Sequence, residues 1–168
     1  MNQPMATKSL KCLTILNQEQ IIKLERFTEE ICAYYYVDDE YFGNIMLSTV
    51  ETARMLFMMN EKYPSKKMNI EYEKEKNGIK IRFTLKEGSK KANNETDHLD
   101  QELRKHNIEK NLYIVKTLAD KVNISKNLKH VELNFYISSI NHEKSLSRIE
   151  KLKDYWSKTK VGINKGNE

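Results

Sequence analysis

The chain reads as an α+β protein: a two-layer sandwich with three core helices on one face of a mixed, mostly antiparallel sheet, plus a C-terminal helix. Three observations carry this. Asp39 to Asn60 repeats apolar residues at three- and four-residue steps, the period of a helix with a buried face. Ile79 to Leu85 and Val131 to Ile137 alternate apolar and polar residues, the period of a half-buried strand. The helical and strand segments are joined mainly by short, hairpin-like connections, which places helices on one face of a sheet.

Ser9 to Leu16 alternates and predicts a first strand, with Leu10, Cys12 and Leu16 on one face. Asn17 is a cap for the helix QEQIIKLERFTEEICAYYY, whose stripe is Ile21, Leu24, Phe27, Ile31 and Tyr35. The run Tyr34, Tyr35, Tyr36 covers most of the circumference at the helix end, so at least one ring reaches solvent, at a contact surface or a packed rim. After Val37-Asp38-Asp39 comes the second helix, closed by Pro64 and the lysines that follow. Met68 to Tyr72 and Ile79 to Leu85 form a hairpin about Asn77-Gly78.

Lys86 to Glu109 loses all periodicity, so it is either a mobile loop or a short solvated helix within one. A third helix follows on Leu112, Val115, Leu118, Ala119 and Val122, then strands near Val122 to Ser125 and Val131 to Ile137. Residues 1–140 make one domain. Residues 141–168 add an amphipathic helix with Leu146, Ile149, Leu152 and Trp156 on one side, and roughly the last dozen residues fray.

Composition narrows the function. The chain has 168 residues, 32% charged and 39% hydrophobic, which suits one soluble domain. The net charge of +5 comes largely from lysines scattered among acids, a solvated surface without an RNA-type motif, so nucleic acid is not the expected partner. No apolar run spans a bilayer and the N-terminus lacks a secretion signal, so a cytoplasmic setting with Cys12 and Cys32 reduced and buried is expected. His98, His106, His130 and His142 are too dispersed to make a metal set with those cysteines. No Walker loop, nucleophile elbow or dinucleotide fingerprint occurs.

The order of elements, together with LSTVETARMLFMMN, MNIEYEKEKNGIKIRFTLKEG and LYIVKTLADKVNI followed by HVELNFYI, resembles the GHKL (histidine-kinase-like) ATPase fold. The likeness covers Ser9 to Ile137 and comes nearest the bacterial anti-sigma-factor serine kinases. In that family a Glu on the second helix activates an attacking hydroxyl, and an Asn one turn later holds magnesium. Those positions fall on Thr52 and Leu56, which have neither a usable base nor a metal-binding oxygen. Glu51 is turned about 100° away and is expected to be a solvated charge.

The adenine-reading Asp falls on Lys86, or on Glu87 if the register slips by one, with Gly88 the retained glycine. The phosphate-binding glycines ahead of the third helix become Glu109, Lys110 and Asn111, and a late Thr falls near His130. Losing three or four charge-assisted contacts of ~1.5–3 kcal/mol each removes at least ~10³-fold in affinity. Met55, Met58 and Met59 are expected to fill the vacated pocket.

The resemblance therefore implies a regulatory binding module with the ATP site lost. Its partner is a protein, sigma-factor-like or anti-anti-sigma-like, and the C-terminal helix either covers the domain itself or mediates a homodimer, with self-covering the favoured role. No cofactor is expected; ATP with magnesium belongs to the alternative, an active kinase or ATPase using Glu51 and Glu87, and another small ligand in a rebuilt pocket is a further alternative.

Overall fold

A computed structural model describes residues 10–60, 66–87, 98–137 and 142–164. Among these lie strands β1 (Leu10–Ile15), β2 (Lys66–Glu75), β3 (Gly78–Glu87), β4 (Lys121–Ile124) and β5 (His130–Tyr136). The helices are α1 (Ile21–Tyr34), α2 (Asp39–Met59), α3 (His98–Leu118) and α4 (His142–Asn164). A single 3₁₀ turn, Gln18–Gln20, leads into α1, and the Asn17 side chain caps it by accepting from the Gln20 N–H at 3.1 Å.

The sheet order is β1-β2-β3-β5-β4, and every pairing is antiparallel rather than mixed. The reason lies in the β3–α3–β4 crossover. It does return the chain in the direction of β3, but the β4–β5 hairpin inserts β5 between the two parallel strands.

Pairing decides which side faces the helices. Ile15, Met68 and Leu85 are in register, as are Leu13, Ile70, Phe83 and Val131, and these rows join the helical core. Leu10, Cys12 and Thr14 fall opposite Glu73, Glu71 and Asn69, on the outer face. The expected burial of Cys12 is therefore corrected: Leu10, Cys12 and Leu16 share one face, as the alternation predicts, but it is the exposed one, and Ile15 is buried. Period two specified the alternation, and β2 chose the side.

Cys32 is buried on α1 as expected. Burial pushes its thiol from the ordinary 9.0 up to about 11. The folded thiol ionises later than the unfolded one, so its contribution to stability is complete below pH about 9 and fades as pH rises toward 11. A disulfide-exchange reagent at pH 8 is expected to titrate Cys12 within minutes and Cys32 only after denaturant is added. Equal labelling of both in the native state would contradict this placement.

Helix α2 is the centre of the fold, packed by α1, α3 and α4. Ile45, Val50, Ala53, Met55, Leu56 and Phe57 join the main core, while the polar Asn44, Ser48 and Glu51 are also buried. Met58 and Met59 are only half-buried, so of the three methionines expected to fill a pocket only Met55 is enclosed. The α2 C-terminus is capped by the Asn60 amide on the Leu56 carbonyl (2.9 Å) and by the Lys66 ammonium on the Phe57 and Asn60 carbonyls (3.2 and 2.7 Å). Between sheet and α1, the Tyr72 hydroxyl meets Thr28 Oγ1 at 2.6 Å, and Thr28 donates to the Leu24 carbonyl at 2.8 Å.

The polar outer face is tied by ion pairs. Arg82 reaches Glu73 at 2.7 Å and Glu132 at 3.3 Å, and Lys80 reaches Glu75 at 2.6 Å. These carboxylates raise the Lys80 and Arg82 pKa values, against the opposing effect of burial.

Two boundaries differ from expectation. Helix α3 begins at His98, well inside the stretch expected to be a loop or a short solvated helix, and Val122 lies on β4 instead of its buried stripe. Between residues 101 and 110 only Arg104 and Ile108 are less than exposed, so this part shows no apolar period to read. Helix α4 continues to Asn164 where fraying is expected, and residues 165–168 lie outside those described.

Helix α4 packs over α2 and α3. Leu152 closes a second small core with Ile114, Leu118 and Leu47, while Tyr155 stacks on Tyr113 with centroids 4.7 Å apart. Arg148 bonds Asp120 at 2.8 Å and the Leu118 carbonyl at 3.3 Å. Trp156 remains 40% exposed, and Leu146 lies among residues whose side chains are not described.

Candidate functional site

The positions singled out from the sequence separate into two groups on opposite faces of the sheet. Thr52 and Leu56 sit on α2, on the inner side, and both are fully buried at 0% exposure. Leu56 belongs to the main apolar core. Thr52 Oγ1 is enclosed with no hydrogen-bond partner among the described residues. A hydroxyl in that setting cannot take up a proton, and a leucine side chain offers no electron pair to a cation.

On β3, Ile79, Ile81, Phe83 and Leu85 are buried, so the alternate residues Lys80, Arg82, Thr84 and Lys86 point outward. Lys86 is exposed and stands opposite Lys67. His130 is exposed at the start of β5, across from Thr84, with its Nδ1 3.3 Å from Thr84 Oγ1. Its backbone N–H donates to Ser125 Oγ at 3.0 Å. The sheet therefore separates Lys86 and His130 from Thr52 and Leu56. Glu87 ends β3 opposite Lys66, and Gly88 lies outside the described residues.

Glu109, Lys110 and Asn111 do not precede α3; they lie within it. Backbone N–H groups so far inside a helix are spent on carbonyls of the preceding turn, and only the first turn has donors for a phosphate. Glu109 and Lys110 are exposed, whereas Asn111 is buried.

Asn111 has a partner that sequence reasoning missed. With its nitrogen turned toward α2, the amide donates to Glu51 Oε2 at 2.8 Å and to the Asn107 carbonyl at 3.2 Å. Arg54 donates to the other oxygen, Glu51 Oε1, at 2.7 Å. Glu51 is thus 8% exposed and faces α3, not the solvated charge expected of it. The i,i+3 arginine was a readable signal. The burial was not, because it follows from α3 crossing the second side of α2.

Four residues beyond Glu51 stands Met55, also buried, whose thioether is a poor match for magnesium. Among the described residues no group of three or more His, Cys, Asp or Glu side chains is placed to hold a metal ion. No described helix is long and apolar enough to cross a membrane.

Elsewhere the described residues form surface depressions, two of which bear on the singled-out positions or the α1 end. One, of about 330 Å³, is lined on the outer face by Arg82, Thr84, Asn123, Ser125, His130 and Glu132. The other, of about 140 Å³, lies between Tyr35, Tyr36 and Val37 and the β2–β3 turn. No family model matches the chain, and no curated protein matches it.

Proposed function

We propose that this protein is a non-catalytic regulatory protein-binding module built on a histidine-kinase-like scaffold, resembling an anti-sigma factor of the bacterial cytoplasm whose ATP site has been lost. The observation that carries the reading is Leu56: at the position where the family holds magnesium, the chain buries a leucine at 0% exposure inside its main core. Three of the other family positions, among the described residues, support the same reading. Lys86 and His130 lie across the sheet, and Asn111 is committed to Glu51. A scaffold that keeps its core and drops its chemistry retains surfaces, and surfaces bind proteins. The partner is of the sigma-factor or anti-anti-sigma kind, with a second copy of the chain as another candidate.

An active nucleotide-binding protein is the second reading, and Glu51 favours it. The support for it is a carboxylate buried between α2 and α3. Met55 counts against it, since the magnesium-binding group one turn on is again absent.

Titration with ATP and magnesium separates the two. A site with a Kd of about 10 μM would be stabilised by ~2.7 kcal/mol at 1 mM nucleotide, a shift of several degrees in Tm. The expected result is no calorimetric heat and no shift. Micromolar binding that requires magnesium and disappears in Glu51→Gln would reverse the order of the readings.

A further inference from the structure

The end of α1 is shaped in a way that packing does not require. The helix closes in a Schellman turn, with the Val37 N–H on the Cys32 carbonyl (2.9 Å) and the Tyr36 N–H on the Ala33 carbonyl (3.2 Å). The residue at the left-handed position is Tyr36, at φ 54°. Glycine suits that conformation, and a large side chain is strained there. The strain gains no packing, since Tyr36 is 92% exposed.

Around it the surface is both apolar and basic. Tyr34 is exposed, Lys11 Nζ sits 4.7 Å from its ring centre, and Lys74 Nζ sits 5.7 Å from that of Tyr35. Lys76 is exposed on the β2–β3 turn, and Glu75 beside it is neutralised by Lys80 at 2.6 Å. Asp38 and Asp39, the next acids along the chain, stand at the N-terminus of α2. The depression of about 140 Å³ opens between Tyr36 and this turn.

We propose that this end of the sheet is the docking surface for the protein partner, which presents an acidic segment with one apolar side chain seated in the depression. The proposal rests on the protein-binding reading above and names its surface. A depression lined by Val37, Ile79 and Ile137 together with Lys74 and Lys76, beside tyrosines, is the form of an interface anchor, and the surrounding lysines supply charge complementary to carboxylates. Single-stranded nucleic acid suits the patch less well. Tyr34 and Tyr35 are engaged with each other at 5.1 Å and with the lysines, which leaves Tyr36 as the open stacking face of the three.

The test uses the ¹⁵N-labelled full chain and a blocked seven-residue peptide of acidic residues around a central leucine. Saturable amide shifts are expected at residues 34–37 and 74–78, with none from the charge-reversed peptide or from an eight-nucleotide oligothymidylate. Tyr36→Ala is expected to weaken the peptide by at least about tenfold. Tyr36→Gly is expected to weaken it as much while raising Tm by about 2–4 °C, which distinguishes lost contact from lost folding. Peptide binding unchanged in Tyr36→Ala, shifts at another surface, or stronger perturbation by the oligonucleotide overturns the proposal.

Immobilised wild-type and Tyr36→Ala chains then separate the two levels. A partner retained equally by both sinks the docking surface and leaves the protein-binding reading standing. Absence of any partner and of self-association sinks that reading, and this surface with it.

Discussion

Replacing Thr52 with Glu and Leu56 with Asn together, which would write the family's carboxylate and amide back into α2, is expected to abolish cooperative folding rather than create a nucleotide site. Leu56 has no exposed surface and belongs to the main core. Truncating such a leucine costs about 2–5 kcal/mol, and an amide buried there without partners adds ~1–3 kcal/mol. Thr52 is equally enclosed, so a glutamate in its place meets desolvation with no cation to offset it. The sum is comparable to the whole stability of a typical domain, about 5–15 kcal/mol. Urea denaturation followed by circular dichroism checks this, with Leu56→Met as the volume-conserving control, expected to lose less than about 1.5 kcal/mol. A double variant that stays folded and binds ATP with magnesium would show that these positions still border an open site.

Gly78→Ala is expected to be the next most damaging change. A Cβ at this position would lie 1.8 Å from the Phe135 carbonyl oxygen and 2.8 Å from its carbon. Both atoms are backbone, so no side chain can rotate away, and β3 must separate from β5 where the Ile137 N–H now bonds the Asn77 carbonyl at 3.0 Å. A loss of about 3 kcal/mol is expected, a fall in Tm of roughly 6–12 °C for a chain of this size. Thermal melts of Gly78→Ala beside Asn77→Gly decide the cause. If the glycine serves close approach, only Gly78→Ala is severe; a neutral Gly78→Ala would refute the geometry.

That glycine shows how a correct reading can rest on the wrong physics. Asn77-Gly78 marks a hairpin in the sequence because the pair suits a left-handed two-residue turn. The hairpin is present, but β2 ends at Glu75 and β3 begins at Gly78, so the turn is Lys76-Asn77. Neither residue, nor Gly78, has positive φ. The glycine is needed for its missing side chain, not for its backbone freedom.

The candidate site was readable in a similar, partial way. That Thr52 and Leu56 cannot perform acid–base or metal chemistry follows from their side chains alone. That Glu51 would be buried, and that Lys86 and His130 would stand across the sheet from α2, does not. Each depends on which neighbour packs against which face.

By itself the sequence determined the periods: strands wherever apolar residues alternate, as at Ile79 to Leu85, and helices wherever they recur by three and four, as along α2. Periodicity is local, set by the geometry of the backbone, so it survives in one dimension. The tertiary structure alone decided the sides. It turned Leu10 and Cys12 outward by pairing β1 with β2, wrapped α2 until Glu51 was enclosed, and extended α3 back to His98 through residues with no apolar pattern. A side is defined by what lies against it, and those residues are far away along the chain.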